Sequence, residues 1–479
     1  MSSELQKLAE LNKEVAKAAE VLERYAANGE FIRIITHIDA DGIAASSIIA
    51  KALHSIGAMF RIRAVKQVDK QVIEELNGEG HSPVVFLDLG SGSLELLSVL
   101  NTKDVFVFDH HQPAGFMFQN LHHINPHIVG IDGSRELSGS GTAYLVAKAL
   151  QSATPDLGCL AVVGALGDAQ DKFNDRSLGG LNRILAEEVV ELGHLIVEKK
   201  DLLLFGRETR PIHRAIAYTM NPYIPGLSGE EDRCLAFLAE LGIDVKQKDR
   251  WRAINDLTEE EKQLLFSGLA KHMALNGLPD KASLSLLGTA YTLTQEERGT
   301  PLRDAREYAS LLNACGRRGR PGLGVTIGFG SRGNILEEAV RVYGEYRKTL
   351  SEYLKWLEQH PDRIKKLSSI YVVDGLGVID ELMLSVVTSI LLSSGRLNES
   401  KPVVALTSAG EGMTKFSGRL PEELKASLDL GSIFYEASRL YDGVGGGHSV
   451  AAGATIPSGR ETEFTHFVDE KVGALLKQF

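Results

Sequence analysis

From Phe31 the chain alternates short β-branched apolar runs with longer stretches whose apolar residues recur at helical spacing. FIRIIT, MFRIRAV, PVVFLDL and VFVFDHH predict strands, and GIAASSIIAKALHSIG, GTAYLVAKALQSA and DLGCLAVVGALGD predict helices. This alternation predicts an α/β domain, a parallel sheet with flanking helices on both faces. From about 191 to 310 the pattern turns to helix-like stretches such as EEDRCLAFLAELG and TEEEKQLLFSGLAKHMALNG, a mainly helical insert. A long charged run, NILEEAVRVYGEYRKTLSEYLKWLEQHPDRIKKL, predicts a connecting helix that stops near Pro361. Beyond it, SIYVVDG, PVVALTS and TKFSGRL predict strands around the helix ELMLSVVTSILLSSG, in a second, smaller α/β domain across a cleft. The expected divisions are 1–190, 191–330, 331–367 and 368–479.

Composition supports this organisation. A chain of 479 residues with 43% apolar side chains can build two to four cores, at roughly 150 residues per domain. No apolar run approaches the ~18 residues of a membrane span, and the amino-terminal MSSELQKLAELNKEVAKAAEVLERY is a charged amphipathic helix, not a signal peptide. The expectation is a cytoplasmic protein with no membrane partner. Cys159, Cys234 and Cys315 are isolated, which argues against a disulfide framework and against a zinc knuckle. The net charge of −11 does not favour polyanions over the whole surface. A nucleic-acid substrate would need a local basic strip, and GRRGRPG at 316–322 is one candidate, with a solvated turn as the equal alternative.

The chemistry gathers at strand ends, where parallel α/β sheets bind ligands. IRII runs into Thr36-His37-Ile38-Asp39-Ala40-Asp41-Gly42, VVFL into Asp88-Leu89-Gly90, and VFVF into Asp109-His110-His111, while Asp168 follows the apolar helix LAVVGALG. Carboxylates crowded at a sheet edge repel one another and resist ionisation, and a cation is the economical remedy. Carboxylate oxygen mixed with imidazole nitrogen and no thiolate favours Mn²⁺ or a related first-row ion over a closed zinc site. His37, Asp39, Asp41, Asp88, His110 and Asp168 exceed what one open site uses, so two divalent ions are expected, a common device for phosphoester hydrolysis. Mg²⁺ and Co²⁺ are the alternatives to Mn²⁺. Asp109 is expected to orient the histidines without binding an ion.

The order H-x-D-x-D-G, a strand-end Asp, D-H-H, a downstream Asp and a late GGGHSVAAG resembles the DHH phosphoesterase superfamily. Within it the likeness is to the RecJ branch, in particular to archaeal RecJ-like nucleases that associate with the replication complex GINS, and it spans about 31–190 and 368–457. The resemblance implies that His37, Asp39 and Asp88 hold one ion and that Asp41, Asp88, His110 and Asp168 hold the other, with Asp88 as the bridge. It places His111 against the scissile phosphate or its leaving oxygen. Ser417, Gly418 and Arg419, with Gly445, Gly446, Gly447 and His448, match the substrate-gripping parts of the DHH-associated domain. Successive glycines let a backbone approach a phosphate, and Arg419 and His448 add donors. Arg317, Arg318 and Arg320 would lie near the interdomain groove and line a path for a single strand.

Two departures qualify the likeness. Bacterial RecJ usually carries an acid where this chain has His37, a residue typical of the pyrophosphatase and short-oligonucleotide branches. No strand-rich segment after 457 suggests an oligonucleotide-binding domain, so the grip on single strands is expected to be weaker or lent by a partner. The leading expectation is a metal-dependent exonuclease releasing 5′-mononucleotides from single-stranded DNA, with RNA as a second substrate, acting from the 5′ end in DNA replication or repair. A phosphodiesterase of short RNA or cyclic dinucleotides is the alternative, and a replication scaffold the third. The insert at 191–310 is the candidate partner surface for GINS.

Overall fold

A computed structural model describes residues 3–219, 222–393, 397, 401–410 and 412–477. It contains two compact units. The first comprises residues up to Ala215, Leu238–Lys271 and Leu284–Gly344, and the second comprises Ile216–Phe237, His272–Ser283 and the chain from Glu345.

The first unit is built on five parallel strands, β1 (Phe31–His37), β2 (Met59–Val65), β3 (Val84–Leu87), β4 (Val105–Phe108) and β5 (Leu121–Ile124), in the order β2-β1-β3-β4-β5. The four residues each of β3 and β4 are wholly buried, which is why they read as unbroken apolar runs. Helices α1 (Ser3–Ala27), α2 (Ala40–Ser55), α3 (Lys70–Gly78), α4 (Leu94–Leu97), α5 (Gly139–Ala149), α6 (Pro155–Gly167) and α7 (Gly180–Glu191) accompany the sheet. The parallel-sheet domain with flanking helices expected from the alternation is present. Strand β5 was not anticipated, because LHHI is short and half polar.

The helical region carries two further strands in this unit, Leu195–Leu202 and Leu287–Leu293, paired antiparallel. A register shift between Glu198 and Asp201, with Lys200 at φ +58°, interrupts the apolar period there and hides the strand from pattern reading. The helix Ala305–Arg317 follows, and Pro321 opens the helix Pro321–Phe329.

The second unit holds a six-stranded mixed sheet in the order Ile364–Lys366, Tyr371–Asp374, Val403–Ser408, Met413–Arg419, Ala451–Pro457, Val444–His448. Phe416 stacks on Phe464 at 4.1 Å and Phe434 meets Phe464 edge-on at 5.5 Å at the centre of its core. The long helix runs Asn334–Gln359 and stops just before Pro361. The helix Leu384–Ser393 occupies the expected place, and the final SG of its predicted stretch lies outside the described residues, as do Met1 and Ser2 of the amino-terminal one.

Candidate metal centre

The pairs Thr36↔Leu87 and Leu87↔Phe108 bring the ends of β1, β3 and β4 level. One residue on, His37, Asp88 and Asp109 leave the sheet side by side, on strands ~4.8 Å apart. Strand order reverses between β1 and β3, so the site opens at the switch point of the sheet. Asp88 makes the exit sharply, at φ +58°, a left-handed conformation that Asp tolerates better than most side chains.

The HIDADG turn is fixed locally. Asp39 caps α2 by accepting from the Gly42 N–H at 3.1 Å, and Thr36 Oγ1 donates to the Gly42 carbonyl at 2.6 Å. Only glycine fits at 42, since a Cβ there would stand 2.6 Å from the His37 carbonyl oxygen. Asp41 points the other way, into the start of α5, where the Gly139 and Ser140 N–H groups donate to its two oxygens at 2.7 and 3.0 Å. Gly139 is also obligatory, because a Cβ would come within 2.7 Å of Asp88 Oδ1.

Five predicted residues converge around Asp88. His37 Nδ1 lies 3.0 Å from Asp39 Oδ2 and 3.4 Å from Asp88 Oδ2. His110 Nε2 lies 3.1 Å from Asp88 Oδ1, 3.8 Å from Asp41 Oδ2 and 3.7 Å from Asp168 Oδ2. Asp41, Asp88 and His110 are buried, whereas His37, Asp39 and Asp168 are each 27–30% exposed and form the mouth.

These donors fit divalent cations. His37 Nδ1, both oxygens of Asp88 and His110 Nε2 are buried and meet only one another and Asp39, Asp41 and Asp168, without a well-aligned hydrogen bond, and a buried polar atom left so costs ~1–3 kcal/mol unless something compensates it. Burial and Asp88 push the Asp41 carboxyl up to about 8, and burial and Asp39 raise that of Asp88. Burial opposes charge on the imidazoles, yet Asp39 and Asp88 raise His37, and Asp168 and Asp88 raise His110, well above the usual histidine range. Without a cation the cluster must therefore hold extra protons. Four carboxylates, Asp39, Asp41, Asp88 and Asp168, match the charge of two divalent ions.

Asp109, although within ligand distance of Asp88, His110 and His111, is already committed. Its Oδ1 accepts from the His110 and His111 N–H groups and from His111 Nδ1, at 2.7, 3.2 and 2.7 Å, and its Oδ2 accepts from the Ser91 N–H at 2.9 Å. Burial opposes its ionisation, but His111 and these donors hold the carboxyl far below the usual range. Asp109 thus aims His111, whose side chain is 36% exposed. Asn125 Nδ2 donates to Ser91 Oγ and to the His111 carbonyl, both at 2.8 Å, and His123 Nε2 meets Ser91 Oγ at 2.8 Å.

The remaining predicted residues fall into two groups. In the second unit, Ser417, Gly418 and Arg419 pair with Gly453, Ala452 and Ala451, which pair in turn with Gly446, Gly447 and His448. The two clusters thus stand in register across one intervening strand, with Arg419 and His448 in the same row. GGGH, Gly445 to His448, lies in the edge strand Val444–His448 of the sheet. Arg419 Nε donates to Ser389 Oγ at 2.8 Å. In the first unit, Gly316 packs so tightly on the HIDADG turn that a Cβ would reach 1.6 Å from the Ile38 carbonyl oxygen. Asn313 Oδ1 accepts the Ala40 N–H at 3.0 Å, so Arg317 ends, and Arg318 caps, a helix docked on that turn. Arg320 is ion-paired with Glu338. Asp171, three residues after Asp168, pairs with Arg306 at 2.7 Å and Arg176 at 3.4 Å.

Sequence reading missed Gly139, Ser140, Ser91, Asn125 and Asn313. A signal existed for the first two: Ser138 caps α5 and precedes the glycine-rich start of an apolar helix, an arrangement that binds anions. The others lie in loops, or on a helix face whose docking is not periodic in sequence.

Residues 31–164 match the DHH family, N-terminal domain, residues 204–287 the DHH-CID domain, and residues 380–474 the DHHA1 domain. The chain is similar to the uncharacterized protein MJ0831 of Methanocaldococcus jannaschii, 32% identical over 99% of this chain and 100% of that protein. Its fold is similar to Thermus thermophilus RecJ solved with Mn²⁺, at TM-score 0.59 and 17% identity, covering 96% of this chain and 55% of RecJ. The chain thus spans about half the length of that RecJ. It is also similar to CDC45 of Entamoeba histolytica, at TM-score 0.62 and 13% identity, covering 96% and 99% of the two chains. Among the described residues no helix is long and apolar enough to cross a membrane. With the strand-end acids and histidines gathered on one sheet and the three matched segments in order, the chain belongs to the DHH phosphoesterase family and has a RecJ-like architecture.

Proposed function

We propose that the protein is a metal-dependent exonuclease that hydrolyses single-stranded DNA, with RNA as a second substrate, from the 5′ end to 5′-mononucleotides. His37, Asp39 and Asp88 would hold one divalent ion, and Asp41, Asp88, His110 and Asp168 the second. Such ions, Mn²⁺ first among them, activate water and neutralise charge developing on the phosphate. The chain's own contribution is orientation. Asp109 fixes the His111 ring so that it meets the scissile phosphate or leaving oxygen, and the buried β3 and β4 ends hold the carboxylates rigidly. Ser417, Gly418, Arg419, Gly445, Gly446, Gly447 and His448 would grip the strand, and Arg317, Arg318 and Arg320 would track its backbone.

The observation that carries this reading is the position of Asp88, with one oxygen toward each histidine. The test is degradation of 5′- and 3′-labelled single strands with Mn²⁺ present. Cleavage by Asp88→Ala at the wild-type rate would sink it. His37 favours a second reading, a phosphodiesterase for very short RNA or a cyclic dinucleotide. A length series from dinucleotide to thirty-mer separates the two, since activity confined to a few nucleotides selects the second. Association with GINS, through residues 191–310, rests on the motif resemblance, and a pulldown with purified GINS tests it.

A further inference from the structure

Behind His110 and Asp168 runs a chain of buried amides, none of them a candidate ligand. Gln170 is 0% and Asn182 3% exposed. Asn182 Oδ1 accepts from the Ser138 N–H at 3.2 Å, and its Nδ2 donates to Gln170 Oε1 at 2.6 Å. Gln170 Nε2 donates to the Gly133 carbonyl at 2.8 Å and to Asp168 Oδ2 at 2.9 Å. The same carbonyl accepts from His110 Nδ1 at 2.7 Å.

Both ends of this chain are backbone groups of fixed polarity. Ser138 N–H only donates and Gly133 C=O only accepts, so the direction of every bond between them follows and neither amide can flip. A neutral His110 must carry its proton on Nδ1 to bond a carbonyl, which turns the Nε2 lone pair toward Asp88, Asp41 and Asp168.

Local geometry delivers the parts. Asp168 caps α6, Ala169 takes φ +53°, and the Gln170 N–H bonds back to the Ala165 carbonyl at 3.0 Å, so residues 168 and 170 return to one side. Gly133 allows the close approach, since a Cβ there would come within 2.0 Å of the His110 carbonyl oxygen. Ser138 also caps α5, whose first amides hold Asp41.

We infer that Gln170, oriented by Asn182, is a positioning residue of the ion site, fixing the Asp168 carboxylate and the tautomer of His110. This rests on the proposed binding of ions. Partners of this kind, one step behind the ligands, are worth ~10–100-fold in metal affinity.

The experiment is Mn²⁺ uptake, read from the free-ion electron paramagnetic resonance signal, on wild type, Gln170→Met, Asn182→Asp and the double variant, with unfolding midpoints taken in EDTA. Methionine keeps the volume and removes the amide, while aspartate keeps the acceptor for Ser138 and removes the donor to Gln170. Q170M is expected to bind Mn²⁺ ~10–100-fold more weakly, and N182D about tenfold more weakly. The double variant should be no weaker than Q170M, because both act through one chain. Q170M within twofold of wild type overturns the inference, as do additive losses in the double variant, which a purely structural role predicts. If Q170M does not fold, N182D decides, and uptake within twofold of wild type overturns the inference. Wild type that takes up no Mn²⁺ overturns the ion reading too, whereas normal uptake by every protein overturns this inference alone.

Discussion

Asp88 turns Oδ2 toward His37 Nδ1 at 3.4 Å and Oδ1 toward His110 Nε2 at 3.1 Å, so one carboxylate serves two separate imidazoles. The β1–β3–β4 register produces this relationship, and the left-handed backbone at Asp88 aims it. A carboxylate placed so is suited to bridge two cations, each with its own histidine.

Gly139→Ala tests how tightly that bridge is packed. The new methyl would stand 2.7 Å from Asp88 Oδ1 and 2.8 Å from its Cβ, at the start of the helix whose amides hold Asp41. Overpacking of this kind costs ~1–3 kcal/mol. Thermal unfolding should show that loss, and Mn²⁺ uptake should fall at least about tenfold. Uptake equal to wild type would show that Asp88 has room to move.

Ion binding should release protons. Burial and Asp88 push the Asp41 carboxyl up to about 8 in the metal-free site, so an arriving cation displaces a proton near neutral pH. Mn²⁺ affinity should therefore rise with pH up to about 8 and level off beyond it. Calorimetry in buffers of different ionisation enthalpy reads the released protons directly. Affinity independent of pH from about 6 to about 8 would contradict the pairing of Asp41 with Asp88.

Much of this site was legible because strand-end chemistry leaves a local trace. HIDADG, Asp88 and DHH each follow an apolar run, and the sheet supplies the rest by holding those runs level. Gln170, Asn182 and Asn125 were not legible, because the bonds Asn182–Gln170 and Asn125–His111 that set them in place span 12 and 14 positions and follow no period of the chain. β5 was lost to two histidines in a four-residue strand, and Leu195–Leu202 to a bulge. The glycines at 445–447 lie in a paired edge strand, which the absence of side chains conceals from pattern reading.

His111 and Asp109 should separate in their effects. His111→Ala is expected to lower turnover by ~100-fold while leaving Mn²⁺ uptake unchanged. Asp109→Asn replaces an acceptor of four donors with a group that meets at least one of them donor to donor. It should cost ~1–3 kcal/mol in urea unfolding and lower the pKa of His111, which Asp109 raises against the effect of burial. An unchanged His111 titration, followed by NMR, would contradict the orienting role.

A buried network away from the centre gives a stability prediction. Glu307 accepts from the Glu208 N–H at 2.7 Å and from Thr209, and burial and Asp304 push it up from 4.5 to about 7. The native state therefore keeps a proton that the unfolded chain releases above pH 4.5, and stability falls as pH rises from there through about 7. The slope is ~1.4 kcal/mol per pH unit at most. Glu307→Gln keeps an acceptor for the Glu208 N–H, turns its Nε2 as a donor to the Thr209 hydroxyl and removes the titration. The wild-type and variant unfolding curves should diverge in favour of glutamine between pH 4.5 and about 7, then run parallel. Parallel curves throughout would contradict the assignment.

If Asp88 bridges two divalent ions, both must sit within reach of its two oxygens. Anomalous diffraction from a crystal soaked in Mn²⁺ tests it most directly. Two peaks ~3.5–4 Å apart are expected, one beside His37 and Asp39, the other beside His110, Asp41 and Asp168, with Asp88 between them. A single peak, or two that do not flank Asp88, would contradict it.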